Sequence, residues 1–145
     1  MDIMNPIIKR RTTMTEKGFW QLLEKAWKQG RMPMLSECRT GPGGVDGQIA
    51  DYFSSHSLLP ARNESIPREA ITGMGKLLFE KKIKKETKEA IMIILAHRED
   101  PNALFFLREY SKRAEKGLNI FARMAFEECE QWADQTDVAL TQVEW

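Results

Sequence analysis

The chain has 145 residues, 42% hydrophobic and 30% charged, which is globular composition and excludes a wholly disordered chain or a membrane bundle. A domain of this length buries about 68–70% of its unfolded surface, so a genuine core is expected. The net charge of +1 argues against a dedicated nucleic-acid binder, but it averages two unlike halves: residues 1–88 carry 16 Lys/Arg against 10 Asp/Glu, and residues 89–145 carry 6 against 11.

In "MDIMNPIIKRR" the charges follow a short apolar patch, the reverse of a signal peptide; with Met14, just before "TEKGFW", read as the natural start, residues 1–13 are a loose leader. The first helix is "TEKGFWQLLEKAWKQG". Thr13 and Glu16 have capping-box spacing, and Phe19, Leu22, Leu23, Ala26 and Trp27 recur at three- and four-residue steps. Gly30 and Pro33 stop it. Residues 30–66 form a Gly/Pro-rich connector holding one short helix, "GQIADYF", with Asp46 as its cap and Ile49, Tyr52 and Phe53 as its inner side.

Four further helices follow. "PREAITGMGKLLFEKK" opens on Pro67, with Ala70, Ile71, Met74, Leu77 and Leu78 inward. "KKETKEAIMIILAHRE" is apolar almost all round from 90 to 96, so neighbours must sandwich it. "DPNALFFLREYSKRAEKG" takes Asp100 as cap, Pro101 in its first turn and Gly117 as its end, over Ala103, Leu104, Leu107, Tyr110 and Ala114. "LNIFARMAFEECEQWAD" places Phe121, Ala125, Glu128 or Cys129, and Trp132 on one face. The tail "QTDVALTQVEW" is expected to pack back through Val138, Leu140, Val143 and Trp145.

Pro67–Asp100 and Pro101–Asp134 are each 34 residues long and share one plan: Pro-x-x-apolar, a helix, a basic turn, a second apolar helix. Two helical hairpins at this period are the mark of an α-solenoid piece. "DPNALFFLREYSKRAEKGLNIFARMAFEEC" resembles the HEAT-like repeats in its helix, charged turn and Ala-rich second helix. The resemblance covers residues 67–134 and implies a scaffold that binds partners on a concave face and has no catalytic residue. A plain helical bundle is the alternative.

Candidate chemistry is sparse. "TGPGGVDG" lacks the Lys and the preceding strand of a phosphate loop, and its Asp46 repels an anion. The two histidines, His56 and His97, form no His-x-x-x-His or Glu-x-x-His pair, so no metal is expected; His97 reads as a helix-end residue. Cys38 and Cys129 have no CxxC spacing, which fits a reducing compartment, and the cytoplasm is the expected location. The longest apolar run, "AIMIILA", falls far short of the about 20 residues that span a bilayer. Glu127, Glu128, Glu130 and Asp134 read as a solvated face.

The expectation is therefore an all-α domain: an N-terminal helix, the connector, and two stacked helical hairpins, either solenoid-like or a bundle. It is expected to bind a protein partner, with no enzymatic activity, cofactor or metal. A small bacterial adaptor or toxin-neutralising protein is the specific version, and head-to-tail self-association fits the split charge. The expected partner surface is Lys85, Lys88, Met92, Arg123 and Glu127 on the second helices, with Trp20 as a further anchor. The alternative is a nucleic-acid binder gripping phosphate through Lys81, Lys82, Lys84, Lys85 and Lys88. An enzyme whose site carries no sequence signature is the third reading.

Overall fold

The computed structural model describes residues 14–28, 44–60 and 66–136, except the side chains of 133–136. The leader, Thr13, Cys38, the Gly-rich residues up to 43, and the tail from 137 onward lie outside the described residues. Within them the chain is all-α, with six helices and no strand. These are α1 (Glu16–Lys28), α2 (Val45–Ser54), α3 (Glu69–Leu78), α4 (Lys85–Ala96), α5 (Pro101–Ser111) and α6 (Asn119–Thr136). Short 3-10 turns at Ser55–Leu58 and Lys116–Leu118 extend α2 and lead into α6.

Two hairpins form the body: α3 packs on α4 and α5 on α6, and they stack with α3 against α5 and α4 against α6. The second helices keep the period of the sequence, since α4 begins at Lys85 and α6 at Asn119. The stacking is close because α3 carries Gly75, over which the Phe106 ring of α5 lies. Helix α4 is the centre of the core. Every residue from Thr87 to Ala96 is buried: the apolar run 90–96 requires it, and Thr87, Lys88 and Glu89 are buried beside it.

α4 is covered on its outer side by the N-terminal third. The 3-10 turn after α2 lies against it, while α2 itself packs on α6. Helix α1 buries Phe19, Leu23, Ala26 and Trp27, the stripe its spacing predicts. Its polar tips tie it down: the Trp27 indole N–H donates to the Leu58 carbonyl at 2.7 Å, and the Trp20 indole to Thr87 Oγ1 at 2.9 Å. The second-helix face that a free-standing solenoid would leave open is therefore filled over α4.

Four local expectations change. The α1 cap is Thr15, whose Oγ1 accepts from the Gly18 amide at 3.0 Å, because Thr15 directly precedes the first helical residue. Asp46 sits inside the first turn of α2 behind an N-cap Gly44, and makes no side-chain cap bond. The inner side of α2 is Gln48, Asp51 and Tyr52, with Ile49 half-buried and Phe53 exposed. Helix α5 ends at Ser111, short of Gly117, where the Ser111 hydroxyl donates to the Arg108 carbonyl and Arg113 turns back onto Tyr110. Its cap is as expected: Asp100 Oδ1 accepts from the Asn102 amide at 2.8 Å, and Arg68 holds Oδ2 at 3.1 Å.

Candidate functional site

The expected partner surface does not assemble. Met92 is fully buried in α4, and Lys88 is also buried, its ammonium paired with Glu115 over the Tyr110 ring. Lys85 is half-buried and lies 3.9 Å from both Asp51 Oδ2 and Glu89 Oε2, two buried carboxylates. Trp20 is half-buried and held by Thr87. Arg123 and Glu127 alone of this set are exposed on α6. Two contacts turn a presumed outer face into interior: the N-terminal segment covers α4 at Thr87 and Lys85, and the end of α5 with Glu115 closes over Lys88. The basic turn divides in the same way: Lys81, Lys82 and Lys84 face solvent, whereas Lys85 and Lys88 point at acids of the chain.

A different constellation forms where α2, α4 and α6 meet. His56 lies in the 3-10 turn after α2, His97 caps the C-terminus of α4, and Glu128 is in the middle of α6. His56 Nε2 is 3.3 Å from Glu128 Oε1, and His97 Nε2 is 2.9 Å from Glu128 Oε2. The other nitrogen of each ring is committed. His56 Nδ1 bonds the Tyr52 carbonyl and His97 Nδ1 the Ile93 carbonyl, both at 2.9 Å. A carbonyl only accepts, so each Nδ1 carries a proton. The Tyr52 hydroxyl donates to Glu128 Oε1 from the buried side. Burial, and then the Glu128 carboxylate, push the Tyr52 phenol well above its ordinary pKa, so it remains a donor.

Aromatic rings frame this cluster. His56 and His97 meet edge to face with centroids 5.0 Å apart; Phe53 stacks on His56 at 6.4 Å and Trp132 tilts against His97 at 6.4 Å. The row Phe53–His56–His97–Trp132 thus crosses three elements, and its two ends are 64% and 40% exposed. Beneath it Cys129 is buried, its thiol directed at the Leu95 and Arg98 carbonyls at 3.6 and 3.8 Å. Burial, with the Asp100 charge next, raises that thiol to about 12, so it is no thiolate at neutral pH. A shallow groove between α1 and α3, lined by Met14, Leu22, Ala70 and Gly73 among others, shares no residue with the cluster.

Sequence reasoning placed both histidines singly and treated Glu128 as part of a solvated face. No local spacing joins residues 72 apart, as His56 and Glu128 are. The sequence put His97 at a helix end and His56 in a Ser-rich loop, and neither placement points to the other. No family model, no curated protein and no solved structure matches this chain.

Proposed function

We propose that this is a non-catalytic protein-binding module, and that its docking face is the aromatic row Phe53–His56–His97–Trp132 rather than the outer side of the second helices. The observation that carries this is the exposure of Phe53 and Trp132, 64% and 40%, at either end of a continuous line of rings. Large rings left in water on a packed domain lose free energy, and interface hot spots are enriched in such residues. The rings are mounted on three packed elements, so little order has to be gained on binding. The two stacked hairpins are the frame for that face, in a solenoid-like or a plain-bundle arrangement.

The cytoplasm is the proposed location. No described helix is long and apolar enough to cross a membrane, and the sequence has two cysteines without a disulfide pattern. The test is capture of partners by the tagged chain with and without nuclease, beside a Phe53→Ala/Trp132→Ala variant. A stoichiometric protein that survives nuclease, and whose capture falls roughly tenfold or more in the variant, supports the reading. Loss of the partner with nuclease, and its dependence on Lys81, Lys82 and Lys84, would replace it by nucleic-acid binding. Equal capture by the variant would remove the aromatic row from the interface.

A further inference from the structure

We propose that His56, His97 and Glu128 bind one divalent transition-metal ion of the zinc class. The proposal is independent of the docking reading, since every ligand belongs to this chain and no partner is required. Its first support is hydrogen-bond polarity. Both Nδ1 atoms donate to carbonyls, at 2.9 Å, so a neutral ring presents a lone pair at Nε2. Those two lone pairs and the Glu128 carboxylate face one another, with all ligand atoms within 4.8 Å. Three acceptors converge stably only around positive charge. A divalent ion supplies that charge at one point and requires no proton on either Nε2.

The ligand chemistry selects the ion. Two imidazoles and one carboxylate suit zinc, cobalt, nickel or copper, whereas calcium and magnesium take oxygen ligands. A tetrahedral ion with ligands at about 2.0–2.1 Å holds them about 3.3 Å apart. The His56–Glu128 separation is 3.3 Å, to Oε1, and the His97–Glu128 separation 2.9 Å, to Oε2. With every pair of ligand atoms within 4.8 Å, closing all three onto one ion takes side-chain movements of no more than about 1.5 Å. The supporting groups are in place. Metal-bound histidines usually donate their second N–H to a carbonyl or carboxylate, as both rings do here, and the Tyr52 hydroxyl holds the carboxylate. The three side chains are 31%, 17% and 25% exposed, buried enough to be fixed and open enough for an ion to enter. Three protein ligands leave a tetrahedral ion one position for water or for a side chain of a partner.

The experiment uses the full chain with its affinity tag removed and Cys38 changed to Ser, so that neither can supply the signal. Cobalt chloride is titrated and followed by visible absorption, then displaced with zinc, and zinc binding is measured by calorimetry. One ion per chain is expected. His56→Gln, His97→Gln and Glu128→Gln are each expected to weaken zinc affinity about tenfold or more, and Tyr52→Phe by less. Helix content by circular dichroism checks each variant. Should the α4-end variant His97→Gln fail to fold, His56→Gln in the surface turn carries the test. Absence of saturable one-to-one binding overturns the proposal, as does zinc affinity unchanged in His56→Gln.

Discussion

The ring of Phe106 occupies the space a side chain at Gly75 would take: a Cβ there would stand 2.2 Å from two of its ring atoms. Gly75 lies within α3 and Phe106 within α5, so this is where the two hairpins meet. Alanine would add helix propensity worth about 1 kcal/mol, but the clash falls near the base of the ring, where a small rotation does not relieve it. Overpacking costs about 1–3 kcal/mol. Gly75→Ala is therefore expected to destabilise the chain by up to about 2 kcal/mol in urea unfolding. Phe106→Ala in the same chain should recover most of the clash, so the two changes together cost less than their sum. A stabilised Gly75→Ala protein would show that the hairpins are not in close contact there.

Gly75 illustrates where the sequence was legible. The apolar periodicity of α1, α3 and α5 and the all-round hydrophobicity of α4 place the core correctly, because burial of apolar surface is what organises it. The α2 face was misassigned because its inner side chains are polar and are buried for specific partners. Gln48 Oε1 accepts from the Ile120 and Phe121 amides, and Gln48 Nε2 donates to Asn119 Oδ1. Hydropathy ranks glutamine outside, and nothing local reveals that a helix N-terminus 72 residues away needs a cap. The histidine cluster was illegible for the same reason: it depends on packing α2 and α4 against α6.

That reading of Gln48 makes its own prediction. The first amides of α6 have no partner within their helix, and Gln48 supplies one acceptor to two of them at 2.6 and 2.9 Å. Gln48→Leu keeps the volume and removes the bonds, leaving buried donors unsatisfied. A loss of about 1–3 kcal/mol is expected. Hydrogen exchange should localise it, with faster exchange at Ile120 and Phe121 than elsewhere in α6. Unchanged protection at both amides would refute the cap.

Glu16 performs a similar service for α4 from outside the helix. Its carboxylate accepts from the Lys84 amide at 3.0 Å and from the Thr87 hydroxyl, which in turn accepts from the Trp20 indole. Lys84 is the N-cap and Thr87 the third helical residue, so Glu16 stands in for the glutamate of a capping box. The Thr87 bond, outweighing desolvation, holds its pKa below the ordinary carboxylate value. A group with a depressed folded pKa stabilises fully above its unfolded pKa, and that stability is lost as pH falls through the folded one. Glu16→Ala should cost about 0.5–2 kcal/mol at neutral pH. Its midpoint should converge with that of the unmodified chain under acid. A difference that stays constant down to the lowest pH at which the chain folds would exclude the charged cap.

Lys88 and Glu115 predict an asymmetry. The lysine is 2% exposed and the glutamate 52%, so one charge is desolvated and the other is not. Replacing a whole buried ion pair by apolar residues is commonly neutral or stabilising, and removing one member is costly only where the charge left behind is buried. Lys88→Met is therefore expected to change stability by less than about 1 kcal/mol, since Glu115 can turn to water. Glu115→Ala strands the buried ammonium, whose remaining support is the Tyr110 ring, 5.8 Å from centroid to Nζ. Breaking a fully buried pair costs about 3–5 kcal/mol; water reaching this half-exposed position reduces that to roughly 2–3 kcal/mol. The double variant Lys88→Met/Glu115→Ala should regain most of the loss. Denaturant midpoints of the three proteins decide it. A Glu115→Ala protein no less stable than Lys88→Met would mean that the ammonium reaches water by another route, and that Lys88 is not sealed in the core.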